Sequence, residues 1–237
     1  YGVDALHIDA GCHENWYNAM PPAGMQAMTP QSRSAKIIKS IVDIPVLTHG
    51  RFGDVKKAEA ALSNGVCDIA VIGRGLLADP DLPNKVRDGR PDLIRPCISC
   101  NEGCIGRAFA GTPATCAMNP RCGFEDGRKD IPKATTPKKV LIVGAGPGGC
   151  MAAIYAKQAG HNVEIWEKGN CVGGNALNAC KPYFKADMHR MIVYFEEELQ
   201  RQGIGVKFYT EATPEAVKAF APDHIIWAAG GKPIVPG

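Results

Sequence analysis

The sequence has no apolar run long enough to span a bilayer, and its first residues show no basic stretch followed by an apolar one. Neither a transmembrane helix nor a signal peptide is therefore expected. It has no excess of one charge: 27 basic residues stand against 24 acidic ones, a net of +3. That balance is too mild to select nucleic acid or an anionic membrane as partner. It has no internal repeat and no initiating Met. It opens at Tyr1 and stops at Gly237 in what reads as an unfinished domain, which predicts an internal piece of a longer protein. The length of 237 residues allows one large domain or two smaller ones, and an apolar content of 45% is ordinary for a globular chain.

Cysteine is abundant. The chain carries ten, unevenly placed, with four between Cys97 and Cys116 and Cys122 close behind. A secreted disulfide scaffold would be smaller and would lack the long strand–helix patterning seen here. Clustering of this kind points to metal in a reducing compartment, hence to the cytoplasm. In Cys97-x2-Cys100-x3-Cys104-x11-Cys116, three thiolates can wrap one corner of a cluster while the fourth returns from a longer loop. Gly103, Gly106 and Gly111 let the backbone approach. The spacing is neither the common bacterial ferredoxin run nor the paired C-x2-C form of many zinc sites, and a tetrahedral zinc site is the alternative. Cys116 fits the fourth ligand better than Cys122, because Cys116-Ala117-Met118-Asn119-Pro120 closes in a turn. Cys12, Cys67, Cys150, Cys171 and Cys180 stand singly and are expected to be packed thiols.

Residues 1–90 alternate short apolar strands with helical stretches. Strands are expected at Ala5–Asp9, Ile44–Thr48 and Asp68–Ile72, with helices over Ser32–Val42 and from an Asp54 cap to Asn64. This order implies a parallel sheet or a barrel. Periodicity stops over residues 91–132, which hold the cysteines and a charged, Pro-containing linker. From 133 to 237 a second α/β unit is expected, with strands at Lys139–Val143, Val163–Trp166, Val206–Tyr209 and His224–Ala228. Its helices are expected over Cys150–Ala159 and Asp187–Gln202.

Gly144-Ala145-Gly146-Pro147-Gly148-Gly149 satisfies G-x-G-x-x-G between a strand and a helix, the context of a dinucleotide-binding turn. Gly144 makes the tight turn, Gly146 admits a pyrophosphate, and Gly149 lets helix and strand pack closely. The pyrophosphate would sit on the helix N-terminus. Glu167 ends the second strand and is placed for a ribose diol. Gly173-Gly174-Asn175 after that strand, and Trp227-Ala228-Ala229-Gly230-Gly231 after the last, resemble FAD domains of the disulfide reductase type and favour FAD.

In a βα barrel, chemistry gathers where strands end. Gly50-Arg51 and Gly73-Arg74 close consecutive strands and form a natural phosphate clamp, while His13 follows the first strand end in Asp9-Ala10-Gly11-Cys12-His13.

Taken together, the motifs resemble the 2,4-dienoyl-CoA reductase and 2-enoate reductase family, over nearly the whole chain. The resemblance implies the C-terminal part of an FMN-binding TIM barrel over 1–90, a [4Fe–4S] segment over 91–132 and an incomplete Rossmann-like FAD domain over 133–237. It implies cluster ligands at Cys97, Cys100, Cys104 and Cys116, followed by Asn119-Pro120. It implies FMN-phosphate contacts at Arg51, Gly73 and Arg74, an active-site His at His13, and FAD contacts at Gly148, Glu167, Asn175, Lys185 and Ala212. The family often has Gln at Asn175 and Thr at Ala229. The implied activity is an electron relay from NAD(P)H through FAD, cluster and FMN to an activated C=C bond of a small unsaturated substrate. An amine dehydrogenase resembling the trimethylamine type, and an electron-transfer flavoprotein without substrate chemistry, are the rival readings.

Overall fold

The computed structural model describes residues 2–12, 14, 20, 30–127 and 130–231. The chain divides into two compact units, one of residues 1–127 with 183–188, the other of residues 128–182 with 189–237. Among the described residues no helix is long and apolar enough to cross a membrane.

The first unit is a parallel arc of three strands, β1 (Leu6–Ile8), β2 (Val46–His49) and β3 (Ile69–Val71), paired in that order. Helices α1 (Pro30–Lys39) and α2 (Val55–Ser63) connect them, as βαβ crossovers require. Asp54 caps α2, its carboxylate accepting from Lys56 N–H at 3.2 Å. Strand alternation sorts the side chains. Val46 packs with Ala35 of α1 and with Ala58 and Ala61 of α2, and Ile8, Ala70 and Ile72 lie against the same cluster. Leu47 and His49 of β2, and His7 and Asp9 of β1, therefore face the opposite, inner side. Two short helices follow, α3 (Arg74–Ala78) and α4 (Leu82–Arg87). The buried Asp79 carboxylate then accepts from Lys85 Nζ at 2.6 Å and Arg95 N–H at 2.8 Å. These bonds fix the path into the cysteine segment, which contains a π-helical turn, Glu102–Gly106.

The second unit is a four-stranded parallel sheet in the order β6-β5-β4-β7, with β4 (Lys139–Val143), β5 (Asn162–Trp166), β6 (Gly205–Lys207) and β7 (His224–Trp227). The connecting helices are α5 (Pro147–Gln158), α6 (Asn175–Cys180), α7 (His189–Arg201) and α8 (Pro214–Phe220). The order reverses beside β4, which is the switch point where doubly wound sheets bind ligands. Leu141, Val143 and Trp166 pack with Ala216, Val217 and Phe220 of α8 on one face, while α5 packs on α7.

The barrel strands are shorter than the sequence suggests, and β4 matches its expected bounds. Helix α5 begins at Pro147, three residues before its expected start, because proline at the first helical position preorganises φ without losing a bond. Helices α6 and α8 were not expected. α8 nevertheless carries a cap signal, since Thr213 Oγ1 accepts from Ala216 N–H at 3.2 Å and Pro214 follows it.

Candidate functional site

At the carboxyl ends of β4, β5 and β7 the second unit opens a cavity of about 180 Å³. Gly144, Glu167 and Ala212 line it with Val143, Trp166, Lys168, Thr210, Glu211, Trp227 and Ala229. The glycine turn beside it is built as its residue types require. Gly144 has φ +103, and a Cβ there would lie 2.5 Å from Ala228 O. A Cβ on Gly149 would lie 2.0 Å from Gly144 O, so only glycine fits under the turn. Gly146 and Gly148 face open space, and Gly146 caps α5 without a side-chain bond. An anion can approach the helix N-terminus there.

Glu167 does more than the sequence suggests. Its two oxygens accept from Ala145 N–H at 2.8 Å and Gly169 N–H at 2.7 Å, tying the end of β5 to the glycine turn. A carboxylate has about four acceptor positions, so each oxygen keeps one for a ribose hydroxyl. These residues fit a dinucleotide. Asn175 donates to Gly231 O at 3.1 Å and starts α6, outside the cavity lining. Lys185 is exposed and lies in the 183–188 stretch, which groups with the first unit. Below the turn, Cys150 is fully buried and donates to Ala145 O at 3.3 Å, and burial pushes its thiol up to about 12.

In the first unit, Cys97, Cys100, Cys104 and Cys116 line a single pocket, and Cys122 does not line it. Burial raises the Cys100 and Cys116 thiols, so a metal must supply the energy of deprotonation. A zinc ion needs its donors at about 2.3 Å around one point. Among the described residues no group of three His, Cys, Asp or Glu is arranged to hold a single ion. Four thiols around one pocket are a donor set that would suit an iron–sulfur cluster. Gly103 is required here, because a Cβ would lie 2.9 Å from Thr115 O.

Arg51 and Arg74 both stand at strand ends. Arg51 is left-handed (φ 64) and its guanidinium donates to the buried Asp187 carboxylate. Arg74 starts α3, next to the cap residue Gly73, and donates to Asn101 Oδ1. Both partners were missed in the sequence, since they lie 136 and 27 residues from the arginines and no local pattern announces them. On the inner side of the arc, Asp9 Oδ1 and His49 Nε2 are 2.8 Å apart, and the His7 ring lies edge-on to His49. Burial works to raise the Asp9 carboxyl, but bonds from Ala10 N–H and His49 outweigh it and hold it below the usual range. His13 lies outside the described residues.

Parallel strand ends bearing arginines, a four-thiol pocket and a glycine turn at a sheet switch point define a class of α/β proteins that bind nucleotide cofactors. Residues 4–93 match the NADH:flavin oxidoreductase / NADH oxidase family and residues 142–190 match an NAD(P)-binding Rossmann-like domain. The chain is 38% identical to cinnamate reductase of Clostridium sporogenes over 98% of its own length and 35% of that protein's. It superposes on a solved 2-naphthoyl-CoA reductase complex with a TM-score of 0.91 at 36% identity, covering 99% of this chain and 36% of that one. Histamine dehydrogenase from Rhizobium sp. 4-9 gives a TM-score of 0.87 at 26% identity, covering 96% and 33%. Residues 4–93 thus carry the match to the NADH:flavin oxidoreductase / NADH oxidase family, and nearly the whole chain is similar to cinnamate and 2-naphthoyl-CoA reductases. It spans about a third of the length of these relatives.

Proposed function

We propose that this chain belongs to a cytoplasmic NAD(P)H-dependent flavin and iron–sulfur oxidoreductase that reduces an activated C=C bond of an enoate or enoyl thioester. The observation that carries the reading is the convergence of Cys97, Cys100, Cys104 and Cys116 on one pocket in the same unit as the FMN-family barrel arc. Bound here, FAD and FMN would supply hydride chemistry and a [4Fe–4S] cluster would supply one-electron transfer between them. The chain's residues position these groups. Gly144, Gly146, Gly148 and Gly149 with Glu167 take the FAD pyrophosphate and ribose, and Ala212, Asn175 and Lys185 are further FAD contacts. Arg51, Gly73 and Arg74 hold the FMN phosphate. His13 protonates the substrate carbon next to the one that receives hydride. The reductase reading is preferred over an amine dehydrogenase because identity to the naphthoyl-CoA reductase is 36% against 26% to histamine dehydrogenase.

The test is stopped-flow measurement of the two half-reactions in the holoprotein. With His13→Ala, flavin and iron contents and flavin reduction by NAD(P)H stay at wild-type levels. Reoxidation by an enoate slows by roughly 10²–10⁴-fold, the range for loss of a general acid. Reoxidation at the wild-type rate would remove His13 from the mechanism, and a holoprotein without iron or flavin would overturn the reading as a whole.

A further inference from the structure

The strand-end loops and the cysteine pocket are packed as one piece. A Cβ on Gly53 would lie 2.9 Å from Gly75 Cα and 3.8 Å from Cys97 Cβ. The loop that carries Arg51, the turn that carries Arg74 and the first cysteine therefore meet with no side chain between them. Arg74 itself forms part of the pocket wall with the four cysteines. Its guanidinium donates to Oδ1 of Asn101, which lies between Cys100 and Cys104. Asn101 Nδ2 donates in turn to Met20 O at 3.2 Å. Asn101 and Ser99 are both left-handed, with φ of 57 and 53, a conformation that persists in non-glycine residues when surrounding contacts hold it. Asn101 thus bends the backbone between two cysteines and aims the arginine with one side chain.

Resting on the function proposed above, we infer that Arg74 serves two cofactors: it holds the flavin phosphate and is also a fixed positive charge on the iron–sulfur cluster, aimed by Asn101. Reduction of the cluster adds one electron, supplied by reduced FAD, and one negative charge. A guanidinium in the pocket wall stabilises that charge and raises the reduction potential, and its partial burial reduces solvent screening. Asn101 is a positioning residue, because it acts through Arg74. The arrangement also means that the cluster's potential and the flavin phosphate draw on the same cation.

The test is an EPR-monitored redox titration of the cluster in three holoprotein forms, with wild type stripped of FMN as reference. Arg74→Met shifts the cluster's reduction equilibrium at least tenfold toward the oxidised state, a fall of roughly 59 mV for one electron. This value lies below both FMN-loaded and FMN-stripped wild type. Asn101→Gly keeps the left-handed backbone and the arginine charge but loses the aim. It moves part of that way, and FMN is retained less tightly. A potential in Arg74→Met equal to that of FMN-stripped wild type overturns the inference, since loss of flavin would account for it. If Arg74→Met does not load iron, an unchanged potential in Asn101→Gly overturns it. Loss of iron in both variants overturns it too, making the pair a folding element of the pocket. Wild type lacking iron or FMN would instead overturn the proposed function.

Discussion

Strands β2 and β4 are each an inner strand of a parallel sheet, with a neighbour on both sides, yet they are buried in different ways. β4 is buried from Val140 to Val143 on both faces, because α8 covers one side and α5 with α7 the other. β2 alternates: Val46 and Thr48 are fully buried, while Leu47 and His49 are only half-buried. The same strand–helix repeat therefore gives two products. The dinucleotide-fold unit closes its own core and opens its cavity at the strand tips. The barrel arc covers only its outer face, and its inner face carries His7, Asp9 and His49, side chains suited to chemistry rather than packing.

The largest effect expected from testing this contrast is on metal content. Cys116→Ser abolishes iron binding in the first unit, whereas Cys122→Ser, whose buried thiol lies outside the pocket lining, retains it. FAD in the second unit is unaffected in both, and iron, sulfide and flavin assays after anaerobic reconstitution decide the matter. Full iron in Cys116→Ser with loss in Cys122→Ser would reverse the ligand assignment.

A smaller effect, confined to the other unit, follows from Gly149→Ala. The added methyl would lie 2.0 Å from Gly144 O, and overpacking of this kind costs about 1–3 kcal/mol. Denaturant unfolding followed by FAD release shows the loss, and iron content stays at the wild-type level. Equal stability of the variant would mean that the turn can open without cost.

The smallest effect is electrostatic. The Lys39 ammonium beside Asp68, at 2.5 Å, together with a bond from Val46 N–H at 2.9 Å, holds the Asp68 carboxyl below its ordinary value of 3.8. A carboxyl depressed in the folded state adds stability above its unfolded pKa, and loses it as pH falls through the folded value. Asp68→Asn is therefore slightly less stable than wild type at neutral pH, and the two converge under acid. Parallel melting temperatures across that range would count against the pair.

These regions also differ in how much of each was legible. β4 was read at its true ends because Lys-Val-Leu-Ile-Val is bounded by Pro137 and Gly144. The barrel strands are shorter than their expected bounds, with Ala5, Asp9 and Asp68 at their edges exposed and outside the paired strands. The four thiols stood out by spacing alone. Asn101 and Asp187 did not, because side-chain partners so far along the chain leave no periodic trace, and an αL asparagine between cysteines reads as any loop residue. The double duty of Glu167 was hidden for a related reason: the sequence places a carboxylate at a strand end, but only the fold shows that Ala145 N–H reaches it.

Cys150 has a consequence for anyone labelling this protein. Its thiol sits under the glycine turn, fully buried and pushed up to about 12, so in the folded state it offers alkylating reagents neither access nor thiolate. Cys171, in the same unit, is exposed. The pair makes a built-in clock: Cys171 takes up label at once, and the delayed labelling of Cys150 times the opening of the dinucleotide fold without any engineered probe.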